Sequence, residues 1–149
     1  LAGIAPAPHQ EPPAKPDLKT LLDACAKEGS RCVSPDGDGF RVDVTLPNNR
    51  KQMVSVRCHV LKGGLEIVRV ETTCAPAEEK AFSWALRANR DLLHCAVGLD
   101  ANGDKTPYLI LRASFVLSEL TAATLKASVK EAAFYADWIE AQLTAKDGH

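Results

Sequence analysis

This sequence has little excess charge, few aromatic residues and no long apolar run. Its 149 residues carry 18 lysines and arginines against 19 aspartates and glutamates, a net charge of −1. No general electrostatic attraction to nucleic acid or anionic lipid is therefore expected. No stretch reaches the roughly 20 consecutive apolar residues that a membrane-spanning helix requires, since Arg112 and Ser114 interrupt the most apolar run. We expect neither a nucleic-acid-binding protein nor a membrane span.

The five cysteines include no Cys-x-x-Cys pair, which excludes the usual redox and zinc-ribbon motifs. In a cytoplasmic protein they are most simply small buried hydrophobic residues, and the cytoplasm is the expected compartment. The chain begins with Leu1 rather than methionine, so the alternative is a periplasmic or exported form that has lost a signal peptide. The sequence leaves the disulfide state of Cys25, Cys32 and Cys95 open.

Motifs that carry catalysis or bind cofactors are missing as well. The sequence contains no Gly-x-Gly-x-x-Gly, no phosphate-binding loop, no Gly-x-Ser-x-Gly and no His-Glu-x-x-His. The pairs Cys58-His59 and His94-Cys95 fall on predicted strands, where adjacent side chains point to opposite faces. A metal or thiol site would have to combine His59 with His94, or Cys58 with Cys95. We predict no enzyme, no cofactor and no metal, and keep this combined site as an alternative.

The prolines divide the chain into a leader and a domain. Five of the nine prolines fall within residues 1–16, where they leave little backbone free for a helix or a strand. We predict a disordered, proline-rich leader over 1–16. Hydrophobic residues make up 46% of the chain, and the remaining length suits one core, so a single domain is predicted over 17–146.

The first half of the domain is predicted to form a short helix followed by strands. Apolar residues recur at helical spacing from Leu18 to Cys25, which predicts an amphipathic helix ending near Gly29. Asp17 is a suitable N-cap for it. Beyond this helix, up to Cys74, the apolar spacing changes to two. Turn signals divide that region at 36–39, 47–49 and 63–64. This pattern predicts an antiparallel meander of one short and three longer strands, with one apolar and one polar face.

The same alternation predicts the pairing of the last two strands of the meander. If both strands keep their apolar residues on one face, Cys58 lies opposite Val70. Val54 then lies opposite Cys74, and the connecting loop has three residues, 63–65. In this register Cys58 and Cys74 are too far apart to form a disulfide.

A second helix is predicted to begin at Pro76 and to run to about Arg90. Proline suits the first helical position, and Glu78 and Glu79 suit the positive end of the helix dipole. We predict a packing stripe of four residues on this helix: Phe82, Ala85, Leu86 and Asn89. Trp84 lies outside this stripe.

The last part of the chain is predicted to form a hairpin and a long helix. Strands over 94–100 and 108–117 form the hairpin, with Cys95, Val97 and Leu99 pointing inward. The second strand also carries apolar residues on its outer face, so a partner is expected to cover that face.

The final helix is predicted to begin after Thr121, its N-cap, and to extend to about Lys146. One apolar seam runs along it. Three aromatic residues widen this seam: Phe134, Tyr135 and Trp138.

The order of these elements resembles the YbjN-like and type III secretion chaperone-like proteins. The segments ALRANRDLLHCAVGLDANG (85–103) and LILRASFVL (109–117), and the helix after Thr121, carry the resemblance, which extends over about 17–146. It implies an α+β fold in which an antiparallel sheet of about five to six strands, a meander plus a hairpin, carries three helices in the order α-β-β-β-β-α-β-β-α. It also implies a small bacterial homodimer that binds a protein partner.

We therefore predict a non-enzymatic interaction module, chaperone-like or regulatory, that dimerises and binds a protein or peptide segment through apolar surface. The candidate interface consists of residues from the second helix, the hairpin and the last helix: Phe82, Trp84, Tyr108, Ile110, Val116, Phe134 and Trp138. The alternative is an exported accessory domain of the cell envelope, tethered by the proline-rich leader.

Overall fold

The computed structural model describes residues 14, 16–26, 31–100 and 106–145. The described residues form three α-helices and six β-strands, in chain order α1 (Leu18–Ala26), β1 (Arg31–Asp36), β2 (Gly39–Thr45), β3 (Lys51–Val60), β4 (Glu66–Pro76), α2 (Glu79–Ala88), β5 (Ala96–Asp100), β6 (Tyr108–Val116) and α3 (Ala122–Ala145). A short 3-10 turn, Leu117–Glu119, precedes α3. The predicted fold class and order of elements are confirmed.

Some predicted features lie outside the described residues. They are the leader over 1–16 apart from Ala14 and Pro16, the end of the first helix near Gly29, the hairpin turn at 101–105 and the last helix beyond Ala145.

All six strands form one antiparallel sheet in the spatial order β1-β2-β3-β4-β6-β5. Because β6 lies between β4 and β5, the meander and the hairpin join into a single layer. Along each strand the side chains alternate between an apolar face and a polar face. On the apolar face, Val42, Val54 and Val70 are fully buried.

The three helices contribute to one core with this apolar face. The seam predicted on α3 is confirmed, since five of its residues are completely buried: Leu125, Val129, Ala132, Ala136 and Ile139. The alanines among them let the helix backbone approach the sheet closely. No helix among the described residues is long and apolar enough to cross a membrane.

Both predicted N-caps are confirmed. The Asp17 carboxylate accepts the Thr20 N–H at 3.1 Å at the start of α1. The Thr121 hydroxyl oxygen accepts the Thr124 N–H, also at 3.1 Å, at the start of α3. Each side chain satisfies one of the N–H groups that a first helical turn leaves without an acceptor.

The register predicted between β3 and β4 is wrong by two residues. Cys58 lies opposite Val68 rather than Val70, and Val54 is therefore not opposite Cys74. The loop spans 62–64, closed by the Leu61 N–H donating to the Leu65 carbonyl oxygen at 2.8 Å. An even shift leaves every side chain on its predicted face.

Two glycines accommodate the backbone of this loop. Gly63 and Gly64 have φ of 93° and 80°, in the region that favours glycine. Both glycines lie inside the loop, as they also would in the predicted one. Cys58 and Cys74 are not joined by a disulfide, as predicted.

The prediction that Pro76 begins the second helix is also wrong. Pro76 is the last residue of β4 and pairs with Tyr108. The Ala77 N–H donates to the Pro107 carbonyl oxygen at 2.7 Å, so contact with the strand β6 continues past Cys74. The helix α2 consequently begins at Glu79.

The packing stripe predicted on α2 needs correction. The buried face consists of Ala81, Ala85 and Ala88, whereas Phe82 and Leu86 are exposed. The small alanines allow α2 to lie close to the core. Its large apolar side chains lie at the flanks of the helix.

Candidate interaction surface

An apolar groove of about 320 Å³ lies between α2 and the edge strand β5. Phe82 and Leu86 line it from α2, and Leu99 lines it from β5, above buried Val97 and Leu109. Leu86 is 70% exposed and Leu99 49% exposed. Large apolar side chains exposed side by side are typical of an interaction surface.

Four aromatic side chains form a cluster on the other flank of α2, where it meets α3. The ring centroids of Trp84 and Trp138 are 5.2 Å apart. Tyr135 contacts Trp138 edge-on at 6.1 Å, and Phe134 contacts Tyr135 edge-on at 5.6 Å. These are favourable aromatic geometries. Phe134 remains 53% exposed and Trp138 40% exposed, so the cluster presents aromatic edges to solvent.

The predicted interface residues divide between the two faces of the sheet. Phe82 lines the groove, and the structure brings three others together in the aromatic cluster: Trp84, Phe134 and Trp138. Tyr108, Ile110 and Val116 lie on the polar face, because they alternate with core residues of β6. There Ile110 is buried, whereas Tyr108 is exposed. The interface role of all seven stays a prediction.

Asn89, at the end of α2, satisfies the backbone of Val97 on the free edge of β5. Its Oδ1 accepts the Val97 N–H at 2.5 Å, and its Nδ2 donates to the Val97 carbonyl oxygen at 3.3 Å. An edge strand otherwise presents unpaired N–H and C=O groups to other chains. Asn89 stood in the predicted packing stripe, and its polar side chain at an apolar position was the available signal for this role.

Glu131 of α3 organises the chain just before β5. Its carboxylate accepts the N–H groups of Leu93, His94 and Cys95 at 2.5, 2.7 and 2.9 Å. Burial of Glu131 raises its pKa, but these three N–H groups outweigh burial, and the pKa lies below its usual value of 4.5. No local sequence signal indicates this contact, because its donors are 36 to 38 residues away.

The pair Cys58 and His59 does not meet the pair His94 and Cys95 in one site. β4 and β6 separate Cys58 and His59 on β3 from His94 and Cys95 beside β5, about 14 Å at three strand spacings. Within the described ranges, no group of three or more potential ligands could hold a metal ion. Burial raises the pKa of Cys74 and of Cys95 to about 12, so both thiols stay protonated at neutral pH.

Comparison with known proteins identifies the fold. No family model and no curated protein matches the chain. Among solved structures, the chain is similar to the crystal structure of YbjN from E. coli, a candidate transcription regulator, with a TM-score of 0.57 and 16% sequence identity. The match covers 90% of this chain and 96% of that one. At this identity the similarity concerns the fold alone, and it confirms the predicted YbjN-like architecture.

Proposed function

We propose that the protein is a non-enzymatic interaction module, chaperone-like or regulatory, that binds a partner protein segment in the groove between α2 and β5. The groove itself carries the proposal, because Phe82, Leu86 and Leu99 stand exposed around a buried apolar floor. Burial of one such side chain by a partner contributes about 1.5 to 3 kcal/mol. A few such contacts suffice for specific binding.

The chemistry of the groove defines the kind of segment that fits it. Asn89 already occupies both backbone groups of Val97, so the edge of β5 does not offer them to an added strand. Binding therefore uses apolar side chains of the partner, presented from a helix or an unfolded segment, rather than strand addition.

We also propose that the module is a homodimer and works in the cytoplasm. Phe134 and Trp138 supply the dimer contact, since exposed aromatic residues are enriched in protein interfaces. Cys58, Cys74 and Cys95 form no disulfide, which suits a reducing compartment.

Leu86→Asp tests the groove. The side chain is exposed, so the fold is retained, while the new charge opposes burial against an apolar partner. The probe is reduced, carboxymethylated lactalbumin, a permanently unfolded chain, followed by fluorescence anisotropy. We expect the wild type to bind it and Leu86→Asp to bind at least about tenfold more weakly, or about 1.4 kcal/mol.

Leu65→Asp is the matched control. Leu65 is likewise exposed but lies in the β3–β4 turn, outside the groove. We expect this variant to bind as the wild type does. Failure of the wild type to bind, or equal weakening by both substitutions, would contradict the proposed function.

A further inference from the structure

The polar face of the sheet carries an open hollow of about 680 Å³. Three arginines from neighbouring strands line it: Arg57 on β3, Arg69 on β4 and Arg112 on β6. Three carboxylates complete the charged lining: Asp36, Glu71 and Asp100. The volume lies within the range of small-molecule sites, about 300 to 1,000 Å³.

Two of the three guanidinium groups are held by carboxylates. Arg57 lies 3.1 Å from Asp36 and 3.0 Å from Asp38. Arg112 Nε lies 2.5 Å from a Glu71 oxygen. These pairs fix the walls of the hollow and neutralise their own charges.

The guanidinium group of Arg69 differs from the other two. Among the described residues it forms no ion pair, and its Nε is buried without a hydrogen-bond acceptor. Arg69 also lies directly opposite Arg57 in the β3–β4 pairing and opposite Ser114 in the β4–β6 pairing. Like charges opposite one another destabilise a sheet, and a buried donor without an acceptor costs further stability. The free protein thus keeps a guanidinium charge that no carboxylate of the described residues neutralises.

We propose that this hollow binds the carboxylate group of a small molecule, with Arg69 as the principal binding residue. The planar guanidinium presents paired N–H donors that match the two oxygens of a carboxylate. The buried atom is Nε, so the ligand binds the terminal nitrogens of the guanidinium group. A carboxylate bound there neutralises the charge of Arg69, which forms no ion pair among the described residues.

Ser55 offers the same ligand a second donor. Its hydroxyl oxygen accepts from Arg57 Nε at 3.1 Å, which leaves the hydroxyl proton available to the ligand. Ser55 lies opposite Glu71 in the β3–β4 pairing and lines the hollow.

The acidic residues of the lining favour a carboxylate over a phosphate. Asp36, Glu71 and Asp100 balance the three arginines, so the hollow lacks the surplus positive charge that suits a dianion. A singly charged group on Arg69 experiences less repulsion from these acids than a doubly charged one.

Propionate, which carries a single negative charge at neutral pH, is the probe, and the NMR signal of the Arg69 Nε–H group is the readout. We expect this signal to shift saturably with propionate, and calorimetry to give an affinity that Arg69→Gln lowers at least about tenfold. Because Arg69 lacks a partner in the free protein, Arg69→Gln should not lower the melting temperature. Arg90→Gln is the control, since Arg90 is 86% exposed and lies outside the hollow, and it should bind as the wild type does.

Three results would overturn the carboxylate site: an Arg69 signal that does not saturate, equal affinities of Arg69→Gln and the wild type, or tighter binding of inorganic phosphate at the same ionic strength. The groove between α2 and β5 lies on the other face of the sheet. A negative result for carboxylate binding in the hollow can therefore be distinguished from a negative result for segment binding in the groove.

Discussion

Glu131 shows how one side chain can organise backbone that has no strand partner. The N–H groups of Leu93, His94 and Cys95 precede β5 and need an acceptor, which the α3 carboxylate provides. His94 Nδ1 also lies 3.4 Å from the same carboxylate. The start of β5 is thereby attached to the helix that covers the sheet.

Replacing Glu131 with glutamine should destabilise the protein by about 1.5 to 3 kcal/mol, the usual contribution of hydrogen bonds to a charged group. A neutral amide has one acceptor oxygen and cannot serve all three donors equally. Urea unfolding at neutral pH measures the change. The exposed carboxylate of Glu119 gives a matched control, and Glu119→Gln should remain within about 0.5 kcal/mol of the wild type.

The same substitution has a defined pH dependence. The pKa of Glu131 is lowered in the folded protein, so its stabilisation is complete above the usual carboxyl pKa and is lost as pH falls through the lower folded value. The stability difference between the wild type and Glu131→Gln should close as pH falls below about 4.5. A difference that persists unchanged in acid would contradict this assignment.

For the charged residues of the polar face, the sequence indicates the face of the sheet but not the ion-pair partner. Alternation along β3 and β4 places Arg57, Arg69 and Glu71 on one face. The partner of Glu71 is Arg112, 41 residues away, and the isolation of Arg69 appears only once that pair has formed. Which arginine forms an ion pair depends on the side chains of the neighbouring strands. The periodicity of one strand does not identify those neighbours.

At the scale of elements, the sequence predicted the features that depend on neighbouring residues. It did not predict those that depend on pairing between distant strands. The caps at Asp17 and Thr121 and the seam of α3 depend on residues a few positions apart, and all are confirmed. The boundary at Pro76 depends on pairing with Tyr108. The sequence did not predict that β6 lies between β4 and β5 in the sheet. The predicted start of the second helix was therefore misplaced.

Asn89→Ala tests the protection of the edge of β5. Loss of the side-chain amide leaves the Val97 N–H and C=O groups without their partner, so hydrogen exchange at the Val97 amide should accelerate at least about tenfold. Asn48→Ala is the control, because Asn48 accepts the Arg50 N–H within the β2–β3 turn. Unchanged protection of Val97 in Asn89→Ala, or equal loss in both variants, would exclude the role of Asn89.

At the scale of the whole molecule, the described elements form two layers. The helices share the core on one face of the sheet, and the charged hollow occupies the other face. The exposed aromatic cluster and the carboxylate site consequently face in opposite directions. A second copy bound at the cluster leaves the hollow open.

Phe134→Asp tests the homodimer. Phe134 is exposed in the free protein, so the charge should disrupt an intermolecular contact without disturbing the core. Light scattering at high micromolar concentration should give a dimer for the wild type and for Leu65→Asp, and a monomer for Phe134→Asp. A monomeric wild type, or a Phe134→Asp protein that is still dimeric, would show that these residues do not form the interface.

The position of β6 in the sheet has a consequence for synthesis on the ribosome. The strands β1 to β4 emerge first, but β4 lacks its second neighbour until β6 has been made, and the valine-rich face lacks its cover until α3 follows. A nascent chain that ends before Tyr108 therefore exposes an apolar sheet with an open edge, a form prone to aggregation. The native sheet can close only after translation has passed the second hairpin, so this protein depends on late chain segments to protect early ones.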